Sequence, residues 1–285
     1  MPDFRELLIP KEKYANAEFG SATLKKEGST QNEDTYFCIK NAAGVFDGVG
    51  GRSQGEMASK VARDYLKSFF SSTFASGDFP LYEVKNFVDQ KIHGANYLVY
   101  TAAQDADCDA ATTATLAFVR KNEKGTPYVL FANVGDSRGY VLREGVFFQI
   151  TEDDNEVKSI YKDKKRAGQI QDRLNRAKSF EDLDDDEIDL FMNRNKISQA
   201  LGKPQIEVNF STAVLNKGDI VVLCTDGVSD NLTTEEMEAA VRGKKNPQEI
   251  AECLVGAAGR RSGQGKKVSI RSKNDDITAV AISAF

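Results

Sequence analysis

The sequence predicts an α+β protein, and three observations lead there. Apolar runs of strand length come in pairs separated by short turns, as in residues 35–39 with 43–47 and 139–142 with 146–151. Apolar residues at helical spacing come in neighbouring stretches, over 53–99 and again over 233–261. Between the strand-rich parts, residues 151–201 are highly charged and helical in composition.

The chain has 285 residues, 40% hydrophobic and 28% charged, which suits a globular protein with one large core. No internal repeat, low-complexity tract or linker divides it, so residues 1–285 are expected to form a single domain. The net charge of -5 argues against nucleic-acid binding, which needs a basic face to displace counterions. No apolar run approaches the roughly 20 residues that span a bilayer. Met1 to Pro10 carries acids and no apolar core, so it does not read as a signal peptide. Cys38, Cys108, Cys224 and Cys253 form no Cys-x-x-Cys pair and read as reduced thiols of a cytoplasmic protein. His93 is the only histidine, which makes a zinc site improbable.

In chain order, residues 35–39 and 43–47 form a hairpin turned at Lys40-Asn41. Antiparallel pairing puts Glu33 and Asp34, before the first strand, at the same end as Asp47, at the end of the second. Ser53 and Glu56 have capping-box spacing, and Met57, Val61, Tyr65, Leu66, Phe69 and Phe70 give the helix that follows one apolar face. Leu81, Val84, Val88, Ile92, Ala95 and Val99 mark a second helix, with His93, Asp89, Asn86 and Asn96 on its polar face. Strands are expected at 112–120 and 127–134, and a hairpin at 139–142 and 146–151 follows the acidic turn Gly135-Asp136-Ser137-Arg138. The 151–201 insertion reads as a lid or substrate-recognition element; its seven acids between Glu181 and Asp189 read as a solvated helix start. Strands resume at 206–214 and 220–225. Thr233 with Glu236 caps one helix, Asn246-Pro247 starts another, and a basic loop over 260–273 leads to the last strand, 277–283.

Glu33, Asp34, Asp47, Asp136, Asp226, Asp230, Asp275 and Asp276 all sit at strand ends or in adjoining turns. Two carboxylates about 4 Å apart repel by roughly 4 kcal/mol at an effective dielectric near 20. Several together need cations or large pKa shifts. Hard oxygen donors favour magnesium or manganese.

Asn32-Glu33-Asp34, Phe46-Asp47-Gly48-Val49-Gly50-Gly51, Gly135-Asp136-Ser137-Arg138, Thr225-Asp226-Gly227-Val228-Ser229-Asp230 and Asp275-Asp276-Ile277-Thr278 occur in this order. Together they resemble the successive motifs of the metal-dependent serine/threonine protein phosphatases, the type-2C or PPM family, over residues 20–285. The resemblance implies a four-layer αββα sandwich, two antiparallel β-sheets packed face to face and flanked by helices. It also implies hydrolysis of phosphoserine and phosphothreonine in a phosphoprotein by a water held between two Mg2+ or Mn2+ ions, without a covalent enzyme intermediate. By motif, Asp47 bridges the two ions, Glu33 and the Gly48 carbonyl hold one, and Asp226 and Asp275 hold the other. Asp34 orients the water, and Asp136 and Asp230 resemble ligands of a third ion. Residues 151–201 fall where the family carries its variable flap. A monomer is expected.

Two positions depart from the family pattern. Ser29 stands where many members have a phosphate-gripping arginine, and Val49 where many have a leaving-group histidine. Arg52 is the first substitute for the phosphate contact, followed by Lys25, Lys26, Arg138 and the 266–273 loop. The departures leave an alternative, an impaired or inactive member serving as a binding or regulatory module. An aspartyl-phosphate enzyme using Asp107-Cys108-Asp109 is disfavoured because the preceding 101–106 is small and polar rather than a buried strand. No P-loop motif is present.

Overall fold

The computed structural model describes residues 17–50, 54–73, 81–122 and 124–283. Arg52 and the predicted cap Ser53 lie outside the described residues. β1 (Glu18–Leu24) precedes the hairpin β2 (Thr35–Ile39) and β3 (Ala42–Phe46) and the two-residue β4 (Gly48–Val49). Then come α1 (Gln54–Thr73), α2 (Leu81–Asp105), β5 (Ala111–Thr112), β6 (Ala114–Lys121), β7 (Pro127–Val134), β8 (Arg138–Arg143) and β9 (Val146–Gln149). Then α3 (Glu156–Ile160), α4 (Lys164–Arg176), a 3-10 turn at Phe180–Asp182 and α5 (Asp185–Met192) lead to β10 (Asn209–Val214). β11 (Ile220–Cys224), α6 (Asp226–Ser229), α7 (Thr234–Ala240), α8 (Pro247–Ser262) and β12 (Ile277–Ser283) follow.

Among the described residues the strands build two five-stranded sheets, ordered β1-β12-β11-β8-β9 and β10-β7-β6-β3-β2, with every neighbouring pair antiparallel. Side-chain alternation then dictates the layers, because successive residues of a strand face opposite sides. Ala43 and Val45 of β3 pack with Val221 and Leu223 of β11 and Val280 and Ile282 of β12, filling the space between the sheets. Ala42 and Phe46, on the opposite face of the same strand, point outward into a cluster with Leu66 and Phe70 of α1 and Val88 and Ile92 of α2. Likewise Val222 and Cys224 face outward onto Met237 of α7 and Leu254 of α8. Strands buried on both faces read as unbroken apolar runs, and β11, Ile-Val-Val-Leu-Cys, is buried throughout. The result is the expected four-layer αββα sandwich.

Several local readings change. β1 was not anticipated from its sequence; it forms by pairing along the whole length of β12. The strand expected over 112–120 is divided, because Thr113 turns its backbone N–H and hydroxyl to Asp47 and separates β5 from β6. Asn96 does not belong to a solvated face. It is buried, accepting from Gly202 N at 2.7 Å and donating to the Lys203 carbonyl at 3.0 Å. His93 is half exposed beside Asp89, as expected for the polar face. The stretch over 151–201 has its own apolar cluster of Val157, Ile170, Leu174, Ala177, Leu190 and Phe191, and its helices are capped by Asn155, Asp163 and Asp184. The acid run spans a 3-10 turn, Phe180–Asp182, and the start of α5, where Asp184 and Glu187 form a capping box; Glu187 departs from the solvated face, being buried and paired with Arg173. Among the described residues no helix is long and apolar enough to cross a membrane.

Candidate active site

The register of the sheets brings the acidic strand ends to one end of the sandwich. Thr35 pairs with Phe46, so the flanking Asp34 and Asp47 leave one sheet side by side. In the other sheet Cys224 pairs with Arg138 and with Ala279, which brings the 135–137 turn, the Asp226 turn and the 275–276 pair together. Leu24 pairs with Ile277, delivering Lys26 beside Asp276. A buried hydrogen bond ties the sheets here: Thr225 Oγ1 donates to Asp34 Oδ2 at 2.8 Å, and accepts from Thr278 N at 3.0 Å.

Each carboxylate has its own local support. The Asp47 carbonyl accepts from Thr113 N and Thr112 Oγ1, both at 2.9 Å, and Asp47 N donates to Thr113 Oγ1 at 3.0 Å. Asp276 is buried and acts as a backbone clamp, its two oxygens accepting from Lys26 N at 2.7 Å and Glu33 N at 2.9 Å. Asp226 opens the single-turn helix α6, where sequence alone showed only a turn after a strand. The N-cap Thr225 gives its hydroxyl to Asp34 instead of capping that turn. Two glycines permit the close approaches. A Cβ on Gly227 would lie 1.9 Å from the Asp276 carbonyl oxygen. A Cβ on Gly55 would lie 2.5 Å from the Gly48 carbonyl oxygen and 3.0 Å from Glu33 Oε1, so glycine keeps clear the space those two acceptors share.

The electrostatics show mutual crowding. Burial pushes Asp34 and Asp47 well above the usual carboxylate range. Thr225 and Thr278 oppose this at Asp34, and the charges of Asp34, Asp226, Asp275 and Asp136 add to it at Asp47. Burial and then Asp226 raise Asp136, against Lys273. Asp226 is pushed up to about 6 by burial, with Lys273 opposing and Asp275 adding. Asp230 goes the other way: burial works against its charged form, but Lys273, Arg194 and Arg138 together hold it low. Three buried acceptors, Glu33 Oε1, Asp34 Oδ1 and Asp226 Oδ1, have no hydrogen-bond partner. Each such orphan costs about 1–3 kcal/mol, more when charged. A hard cation at this end would answer both the orphaned oxygens and the crowding, so the residues fit one. Among the described residues the carboxylates do not close into a ready-made coordination set. Lys273 places an ammonium among them, paired with Asp226, with Asp230 at 3.0 Å and with Asp275 at 3.1 Å.

The substitute phosphate contacts fare differently from expectation. Arg138 is buried and its guanidinium is bidentate on Asp153, at 2.9 and 2.6 Å to Oδ2, so it is not a free cation. Lys26 pairs with Glu33 Oε2 at 2.7 Å. In the basic loop Lys266 and Lys267 are exposed, but Arg271 and Lys273 turn inward. Ser29 spends its hydroxyl on the Gln31 carbonyl at 2.7 Å in a local turn. Val49 is an exposed aliphatic side chain on β4. Asp107 and Asp109 are exposed in the turn after α2, with no buried strand leading to them.

Arg271 was missed by sequence reasoning. Among the described residues it is the largest fully buried side chain, donating to the Leu174 carbonyl at 2.9 Å, the Ala177 carbonyl at 3.1 Å and the Ser229 carbonyl at 2.7 Å. In the sequence Lys273 reads only as part of a basic loop. The one available signal was its spacing, two residues before Asp275 in a non-helical lead-in, which favours a shared side. A cavity joins Asp136, Asp226 and Asp230 to Leu190, Phe191 and Arg194 of the 151–201 stretch, so that stretch borders the carboxylates.

The fold and the ordered carboxylate motifs define a class, and comparison with known proteins agrees. The sequence profile of the protein phosphatase 2C family matches residues 25–252. The chain belongs to that family and is a protein phosphatase. It is 27% identical over 224 residues to the serine/threonine phosphatase Stp of Listeria innocua, covering 77% of this chain and 79% of that protein. The fold matches the serine/threonine phosphatase Stp1 of Staphylococcus aureus with a TM-score of 0.72, at 23% identity and 99% coverage of both chains. It also matches the catalytic domain of the phosphatase PstP, solved with two manganese ions, with a TM-score of 0.70 at 23% identity, covering 94% of this chain and 97% of that one.

Proposed function

We propose that this chain is a metal-dependent phosphatase of phosphoserine and phosphothreonine in proteins, acting as one catalytic domain over residues 1–285. The observation that carries the reading is the set of orphaned oxygens, Glu33 Oε1, Asp34 Oδ1 and Asp226 Oδ1, at one crowded end of the sandwich. Glu33 and the Gly48 carbonyl would hold one ion, Asp226 and Asp275 a second, and Asp47 would bridge them, with Asp136 and Asp230 for a third. The manganese-bound relative PstP supports this assignment, and oxygen donors suit Mg2+ or Mn2+. When bound, such a pair of ions lowers the pKa of a water between them and neutralises phosphoryl oxygens as charge develops.

The chain's own residues supply positioning. Asp34, fixed through Oδ2 by the Thr225 hydroxyl, presents Oδ1 to accept a hydrogen bond from the attacking water and aim it at phosphorus. The 151–201 stretch, bordering the carboxylates, serves as the flap against which the phosphoprotein docks. Val49 offers no proton to the leaving oxygen, so alkyl phosphates, with their basic leaving groups, should react more slowly than aryl phosphates.

The test is hydrolysis of an aryl phosphate and a phosphothreonine peptide, with Mn2+, with a chelator, and with Asp226→Asn. Turnover that needs the metal and falls at least about a hundredfold in Asp226→Asn is expected. Mn2+ binding without any turnover would turn the assignment to a non-catalytic binding module of the same fold, which the replacements at Ser29 and Val49 would then explain.

A further inference from the structure

We propose that Lys273 is a tethered cation that stands in for divalent metal charge among Asp226, Asp230 and Asp275, weakening ion binding on that side of the site. The inference rests on the metal reading above. It starts from the way the lysine is built in. Lys273 N donates to Asn231 Oδ1 at 3.0 Å, and Asn231 Nδ2 donates to the Lys273 carbonyl at 3.0 Å and to the Gly227 carbonyl at 2.9 Å. Asn231 is fully buried, so one amide pins the backbone of the lysine to the helix that begins with Asp226. The side chain is only 20% exposed and its ammonium meets all three carboxylates. A surface lysine seeking any nearby acid would have neither the anchor nor three partners.

The three acids bring three negative charges and Lys273 returns one positive charge. A divalent ion taking oxygens from Asp226 and Asp275 must share them with an ammonium of like sign or displace it. Displacement breaks its charge-assisted hydrogen bonds to Asp226 and Asp230. The Asp226 side of the site is therefore partly self-neutralised, and its ion loads more weakly than the acid count suggests.

The experiment is calorimetric titration of the full chain with Mn2+, comparing wild type, Lys273→Met and the charge-keeping Lys273→Arg. Lys273→Met should bind its weakest ion about tenfold or more tightly, or take up one ion more, while Lys273→Arg stays close to wild type. Should the Met variant not fold without metal, Lys273→Gln keeps a hydrogen-bond donor to the acids and is titrated in its place. If every chain binds Mn2+ alike, the Lys273 proposal falls and the metal reading stands. If none binds, the metal reading falls first and takes this proposal with it.

Discussion

Arg138 shows how far a residue's role depends on what it meets. In sequence it is the cation of an acidic turn and a candidate for phosphate; in the fold it is buried against Asp153, whose side chain is 2% exposed. Removing one member of such a pair strands a buried charge. Arg138→Ala should therefore lose about 3–5 kcal/mol in urea unfolding, and the double replacement Arg138→Met with Asp153→Leu much less. Equal losses from both variants would show that the pair is not coupled. The convergence of Glu33, Asp34 and Asp47 was legible because they flank one hairpin, where pairing alone sets proximity. Lys273 was not, because its anchor, Asn231, is 42 residues away in the chain and nothing local announces the bond.

At the scale of elements, starts and stops were the most legible feature. Thr233 with Glu236, and Asn246 with Pro247, cap α7 and α8 where the spacing indicated. Glu236 also meets Arg261 of α8. Burial works against its charge, but the Thr233 backbone and Arg261 win, holding the carboxyl below its ordinary value. A depressed folded value means the stabilisation is present above about pH 4.3, the unfolded value, and is lost as pH falls through the folded one. Glu236→Gln should cost about 1 kcal/mol at pH 7 in thermal or urea unfolding, with the gap to wild type closing toward pH 3. A gap independent of pH would remove the charge from the explanation. β1 was invisible because its Glu-Phe-Gly-Ser-Ala-Thr-Leu gives little alternation, and its identity comes from β12. α6 was invisible because one helical turn leaves no period to read.

For the whole molecule, periodicity revealed the faces but not the order of the strands. β1 and β12 lie at opposite ends of the sequence and side by side in the sheet, and only long-range packing selects that neighbour. The layer between the sheets is where the two halves depend on each other. Leu223 is fully buried there, among side chains from both sheets. Leu223→Ala should destabilise the chain by about 2–5 kcal/mol in denaturant unfolding, through lost contact and the cavity left behind. Separate transitions for the two sheets, in place of one shifted transition, would contradict an interdependent core.

Arg271 has a consequence for how the bordering helices share one fate. Its guanidinium serves the carbonyl ends of two helices at once: Leu174 and Ala177, where α4 ends, and Ser229, the last residue of α6. Both ends carry the negative pole of their helix, and a single positive charge terminates both. Pulling α4 away would bare carbonyls on it and leave the guanidinium half-solvated beside Asp230. Any movement of the bordering stretch is thereby felt at the turn that carries Asp226, through a keystone belonging to neither.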